Sequence, residues 1–338
     1  MTRISFFKAF VAILLSVLFL PGMVAEEREG EQPGTGPTFR VSVEMVSLPV
    51  VVTTSSGRRI RDLKKDDFHV YEDNVEQEIA GFAATDAPLA VALLLDTSGS
   101  TRSDLARIQN AAIDFVNQLH PDDEVAVLSF ADDVRLQSDF SIDRKKNERG
   151  IKMTRTGEST VLYEAVWLAL EQVLKPVTER KALVLFTDGV DTRSRDASMK
   201  ETLDLSKETE ATIYCVHYNT EQGSGSGLSI DPGFPPIIIS PFPRTTNRTR
   251  TGSTPEEAMR GRAYLKDLAD NSGGLVLDGN KNLGETFSEI AKELSSQYRI
   301  DYYPTNTEKD GKFRKIKIKM ENPDYRVRTR KGYYAGSR

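Results

Sequence analysis

Leu89–Leu95 (LAVALLL) is an unbroken run of seven apolar residues. It is too short for a core helix and has no polar face for water. Such a segment fits one place: an interior strand of a parallel sheet, covered by helices on both sides. The residues beyond it keep that pattern. A helix is expected after Ser103 as N-cap, with Leu105, Ile108, Ala112, Phe115 and Leu119 on one face. Val125–Phe130 and Ala182–Phe186 read as further buried strands, with Val134–Ser141 as a short edge strand between them. Thr212–Tyr218 and Leu275–Leu277 are two later strands. Val161–Leu174, Met199–Glu210, Tyr264–Asn271 (closed by Gly273-Gly274) and Leu283–Tyr298 are helices. Strands alternating with helices at this spacing predict an α/β fold, a doubly wound and mainly parallel sheet.

The flanks differ in period. Residues 38–87 and 299–338 alternate in twos: Phe68 and Val70 against His69 and Tyr71, and Lys315, Lys317 and Lys319 against apolar neighbours. The lysines read as a solvated sheet face. Each segment is too small to bury a core alone, so the two are expected to pair into one accessory β module, with the α/β domain of residues 88–298 inserted between them. Within that domain, Glu221–Gly261 is rich in Gly and Pro and reads as a flexible insertion.

At the N-terminus, Arg3 and Lys8 precede the apolar stretch Ala9–Leu20, and Pro21-Gly22 break it before Met23-Val24-Ala25. This is the layout of an export signal over residues 1–25, shorter in its apolar part than the ~20 residues of a membrane span. An uncleaved anchor is the alternative, because Met23 is large for its place near a cleavage site. Residues 26–37 form a polar linker. The expected location is therefore periplasmic or secreted, with no membrane contact beyond the signal.

Composition narrows the chemistry. A net charge of −5 argues against nucleic acid as partner. The single cysteine, Cys215, excludes an internal disulfide and any Cys-based zinc cluster, and three scattered histidines do not make an imidazole site. Any metal has to be held by oxygen.

Oxygen donors do converge. The first buried strand ends in Asp96-Thr97-Ser98-Gly99-Ser100 and a later one in Thr187-Asp188-Gly189. In an open α/β sheet both ends lie at the carboxyl edge, where ligands bind. The polar loop Thr156–Thr160 lies between them in the chain. Two carboxylates side by side repel unless protonated or bridged by a cation, and hydroxyls with carboxylates suit a hard ion, Mg²⁺ or Mn²⁺ before Zn²⁺. Asp191 reads as a solvated loop acid rather than a ligand.

The order Asp-x-Ser-x-Ser, then a loop Thr, then an Asp at a later strand end resembles the von Willebrand factor type A (VWA) family and its metal-ion-dependent adhesion site (MIDAS). Asp96, Ser98, Ser100, Thr160 and Asp188 match all five positions over about Pro88–Tyr298. Ser159 stands where many members have Gly. The flanks, with Asp66-Asp67-Phe68 and Lys331-Gly332-Tyr333-Tyr334, resemble those of bacterial exported VWA proteins. The resemblance implies no catalytic residue. It implies a metal-dependent protein-binding module in which the serines hold the ion, Thr160 joins in the ligand-competent state, and the two aspartates act wholly or partly through water. A partner's Asp or Glu then completes the Mg²⁺ or Mn²⁺ site. Two other classes stay open: an Mg²⁺-dependent phosphohydrolase with Asp96 as nucleophile, although Ser98 stands where such enzymes place a second acid, and a metal-free structural protein of the cell envelope.

Overall fold

The computed structural model describes residues 44–83, 87–218, 254–280 and 282–336. The export signal, the linker and most of the expected insertion lie outside the described residues. The chain opens with β1 (Val46–Thr54), β2 (Phe68–Glu72), β3 (Val75–Gln77) and β4 (Ile79–Ala83). The α/β part runs β5 (Leu89–Asp96), α1 (Leu105–Gln118), β6 (Glu124–Phe130), β7 (Val134–Ser138), α2 (Arg144–Met153) and α3 (Leu162–Leu168), the last continuing as a wider π-type turn over Ala169–Leu174. It then runs β8 (Arg180–Thr187), α4 (Met199–Glu208), β9 (Thr212–His217), α5 (Pro255–Ser272), β10 (Val276–Asp278) and α6 (Leu283–Leu294). β11 (Gln297–Tyr302), β12 (Phe313–Met320), β13 (Tyr325–Arg328) and β14 (Gly332–Tyr334) close the chain.

The central sheet has the order β10-β9-β8-β5-β6-β7, parallel throughout except for β7, which runs antiparallel at the edge. All eight residues of β5 are buried, as its composition requires. Val91, Leu93 and Leu95 point into a core shared with α1 and α6, and Ala92 and Leu94 into one shared with α3, α4 and α5. Each such leucine contributes roughly 1.5–3 kcal/mol by leaving water. Strand order reverses beside β5, because β6 lies on one side of it and β8 on the other. That switch point opens a crevice at the carboxyl ends of β5 and β8.

The flanks pair across the inserted domain. One sheet has the order β13-β1-β11-β4 and the other β14-β12-β2-β3, so each combines strands from both ends of the chain. β1 and β11 are antiparallel, with Leu48 opposite Ile300 and Val50 opposite Tyr298. The two sheets share one apolar core that includes Leu48, Val50, Phe68, Val70, Tyr298, Ile300 and Ile318. Buried Glu72 spans them, accepting hydrogen bonds from the hydroxyls of Tyr302 (2.7 Å) and Tyr333 (2.9 Å). Lys315, Lys317 and Lys319 lie on the solvated face of β12.

Several local expectations are corrected. α5 begins at Pro255, inside the stretch read as insertion. Thr254 and Glu257 cap each other reciprocally there, and Pro255 occupies the first turn, where a missing N–H costs nothing. Asp104, not Ser103, precedes α1, and the Ser103 hydroxyl donates to Asp104 Oδ2 (3.1 Å). The helix expected to reach Tyr298 ends at Leu294, because Gln297 and Tyr298 are drawn into pairing with β1. α2 is not legible in the sequence: Asp143 caps it through the N–H groups of Lys145 and Lys146, but it buries only Asn147, Gly150 and Ile151.

Arg180, buried at the start of β8, ties together the two chain crossings between the β module and the α/β domain. Its guanidinium donates to the carbonyl of Ala87 (2.6 Å), before β5, and to that of Leu294 (2.8 Å), at the end of α6. Arg180→Met should cost about 1–3 kcal/mol in urea denaturation, because it strands carbonyls that bond to charge now. A loss below about 0.5 kcal/mol would show that this seam does not depend on Arg180.

Candidate functional site

Asp96 ends β5 and is fully buried. Its Oδ1 accepts the N–H of Ser98 (2.9 Å) and its Oδ2 accepts the hydroxyl of Thr187 (2.7 Å). Ser98 then leads into a 3-10 turn at Gly99–Thr101, where the N–H and hydroxyl of Thr101 both bond to the Ser98 carbonyl (3.0 and 2.9 Å). That turn sets Ser100 Oγ 3.0 Å from Ser98 Oγ, and the Ser100 hydroxyl donates to Asp188 Oδ2 (3.2 Å). Asp188 Oδ1 accepts the N–H of Val190 (3.0 Å). Asp96, Ser98, Ser100 and Asp188, read from two separate segments, thus form one hydrogen-bonded string.

Thr160 is placed differently. The 154–160 loop lies against the first segment, where the Gly157 N–H donates to the Thr97 carbonyl (2.9 Å). Thr160 is buried and its backbone is held by Thr192, whose hydroxyl accepts the Thr160 N–H (2.8 Å) and whose N–H donates to the Thr160 carbonyl (3.0 Å). Among the described residues no hydrogen bond joins the Thr160 hydroxyl to the string. Gly157 is required where it stands, since a Cβ there would meet Ala131 Cβ and Asp132 Oδ2 at 2.6 Å.

Burial drives the electrostatics. Both carboxyls are pushed above the usual carboxylate range, Asp96 by desolvation and then by the negative charge of Asp188, Asp188 by desolvation. Among the described residues no Lys, Arg or His pairs with either. Nor do three or more His, Cys, Asp or Glu cluster as a metal cage. The arrangement is two buried, unneutralised carboxylates beside two hydroxyls. That donor set fits a hard divalent cation, whose charge offsets the repulsion and whose remaining ligands are neutral oxygen and water.

Sequence reasoning missed the groups that hold the string in place. Thr187 donates to Asp96 while accepting the Gly189 N–H (3.0 Å), so it links the two carboxylate-bearing segments. Asp132, exposed after β6, accepts the N–H groups of Glu158 (3.2 Å) and Ser159 (2.9 Å) and the Ser159 hydroxyl. Asp191 is half-buried rather than solvated. It accepts the N–H groups of Tyr163 (3.1 Å) and Ser194 (3.0 Å) and so ties the loop after β8 to the start of α3. Only Thr187 carried a signal, as a hydroxyl residue at a buried strand end. The loop after Asp188 is in turn packed on α5: a Cβ on Gly261 would lie 2.6 Å from the Gly189 carbonyl oxygen, and Gly189 itself has φ of +83°.

A family model described as von Willebrand factor type A domain matches residues 91–190, a span that holds all five candidate residues. A search of curated proteins finds no match. Among solved structures the chain is similar in fold to the conserved hypothetical protein BatB from Bacteroides thetaiotaomicron (17% identity, 61% of this chain and 97% of that one, TM-score 0.43). It is also similar to a von Willebrand factor type A protein from Catenulispora acidiphila (12%, 87% and 73%, TM-score 0.47). A third is proximal thread matrix protein 1 from the mussel byssus, solved with a zinc-occupied MIDAS motif (14%, 66% and 49%, TM-score 0.46), of which this chain spans about half the length. With the family match lying over the Asp96–Asp188 crevice of a doubly wound sheet, the chain carries a von Willebrand factor type A domain.

Proposed function

We propose that this chain is an exported, metal-dependent protein-binding module. Asp96, Ser98, Ser100, Thr160 and Asp188 would hold Mg²⁺ or Mn²⁺, and a partner protein would donate an Asp or Glu carboxylate to it. The observation that carries this reading is the buried pair Asp96 and Asp188, facing hydroxyls and lacking any cationic side chain among the described residues. When bound, the ion supplies an electrophilic position with few anionic ligands of its own, which is what favours a carboxylate from outside.

The chain's own residues do the rest. Thr187 and the Ser98 N–H hold Asp96 in one orientation, and the 3-10 turn sets the Ser98 and Ser100 hydroxyls side by side, with that of Ser100 donating to Asp188. Thr192 anchors the backbone of Thr160 while leaving its hydroxyl uncommitted. A binding role rather than catalysis is supported by the setting of Asp96. Both Asp96 oxygens are engaged and the side chain is fully buried, unsuited to attack on a phosphorus. Export is supported by the charged and apolar pattern of residues 1–25. Among the described residues no helix is long and apolar enough to cross a membrane.

Calorimetric titration of metal-free protein with Mg²⁺ and Mn²⁺ tests the site. Wild type should show saturable heat, and the double variant Asp96→Ala, Ser98→Ala should show none. Equal heats would overturn the assignment. A pull-down from envelope extracts in Mg²⁺ against EDTA tests the partner. Thr160→Ala should lose the partner while keeping the metal, and partner retention by that variant in EDTA would place recognition elsewhere.

A further inference from the structure

Building on that metal-dependent reading, we propose that the partner segment is acidic beyond the one carboxylate it donates, and that Arg102, Arg155 and Arg262 form a cationic rim that selects it. The three come from separate segments brought to the same sheet edge. Arg102 ends the 3-10 turn two residues after Ser100. Arg155 lines the cleft beside Thr97 and Gly157. Arg262 follows Gly261, whose backbone abuts Gly189 next to Asp188, and its charge reaches His217, the β9 residue paired with Thr187.

All three are exposed, and among the described residues none forms an ion pair. The acids on the same loops are placed otherwise. Asp132 and Asp133 line the same cleft as Arg155, but Asp132 is turned to the N–H groups of Glu158 and Ser159 and lies 3.8 Å from Arg193, and Asp133 pairs with Arg135 (2.9 Å). Asp191 faces backbone N–H groups, and Glu158 is the exposed acid of the 154–160 loop. On a chain of net charge −5, this edge therefore presents unpaired guanidinium groups around a site that already asks for an anion. A planar guanidinium matches a carboxylate in two parallel hydrogen bonds, so flanking Glu or Asp side chains are what the rim fits best.

The test uses fluorescence anisotropy on the full chain with three short labelled peptides that share a central Asp, flanked by Glu, by Gln or by Lys. In Mg²⁺ at roughly 0.01 M salt, wild type should bind the Glu-flanked peptide about tenfold tighter than the Gln-flanked one, the sum of three modest exposed contacts, with the Lys-flanked peptide weakest. The preference should shrink at roughly 1 M salt, where charges act over only ~3 Å. The triple variant Arg102→Gln, Arg155→Gln, Arg262→Gln should bind Glu- and Gln-flanked peptides alike, and Lys317→Gln, on the remote face of β12, should keep the preference.

Equal binding of the two peptides by wild type, or a preference surviving in the triple variant, would overturn the rim, as would failure of every peptide to bind. Mg²⁺-dependent binding without a charge preference would remove the rim and leave the metal reading standing. Arginine-dependent binding indifferent to EDTA and to Asp96→Ala would remove the metal reading and support the rim alone.

Discussion

Asp96→Asn is expected to weaken Mg²⁺ binding by about 100-fold while leaving the metal-free protein as stable as wild type or more so. The binding loss follows from the role of a carboxylate that orients the ion's surroundings, where a single change typically costs 10–100-fold. The stability expectation follows from burial. In the metal-free chain Asp96 is fully buried beside Asp188, and desolvation and repulsion both work against its charged form. A neutral amide of the same shape removes both penalties, and its carbonyl oxygen still accepts the Ser98 N–H. The Thr187 hydroxyl can turn from donor to acceptor toward the new amide.

Thermal unfolding with and without Mg²⁺ checks both halves. Wild type should gain stability with the ion, by about 2.7 kcal/mol at a hundredfold excess over Kd, and Asp96→Asn should gain almost none at the same concentration. If Asp96 were only a strand-end anchor for its loop, the variant would instead lose stability, with no change in any metal response. An unchanged Mg²⁺ shift would likewise refute the assignment.

The second large effect lies in the β module. Tyr298 sits in β11 with its ring against Phe68 and Phe82, centroids 5.6 and 5.7 Å away. Its hydroxyl accepts the Leu63 N–H (3.1 Å) and donates to the Ile60 carbonyl (3.1 Å). One side chain from the C-terminal segment thus holds several residues of the N-terminal one. Tyr298→Ala should cost about 3–5 kcal/mol, the usual loss for a buried aromatic. Tyr298→Phe should cost about 1–2 kcal/mol, since it keeps the packing but strands two backbone groups. Urea denaturation reads both. If the Ala variant lost less than about 1 kcal/mol, the two flanks would not be one cooperative unit.

Parts of this molecule could be read directly from the residues. The LAVALLL run, the alternation of apolar strands with amphipathic helices and the period-two flanks led to the doubly wound sheet and to the paired β module. These patterns are legible because burial repeats with the geometry of the element that carries it. α2 escaped because a helix that buries one large apolar side chain, Ile151, has no stripe to detect. The start of α5 was readable in Thr254-Pro255-Glu256-Glu257, but the Gly- and Pro-rich stretch before it masked the cap.

The site divides in the same way. Local order along the chain brought Asp96, Ser98 and Ser100 together, because a strand end followed at once by a tight turn leaves their side chains little choice of direction. The strand end at Thr187-Asp188 marked a second carboxylate for the same edge, and the resemblance to the VWA pattern added Thr160 as an expected companion. Only the tertiary structure decided that Thr187 would bridge the two segments, that Thr192 rather than the serines would hold Thr160, and that Asp132 and Asp191 would serve as loop anchors. It alone brought Arg102, Arg155 and Arg262 to one edge. Hydrogen bonds between residues 27 to 91 positions apart leave no periodic trace in the chain. Their partners are chosen by where β6 and β8 settle on either side of β5, a choice made by the packing of the whole sheet.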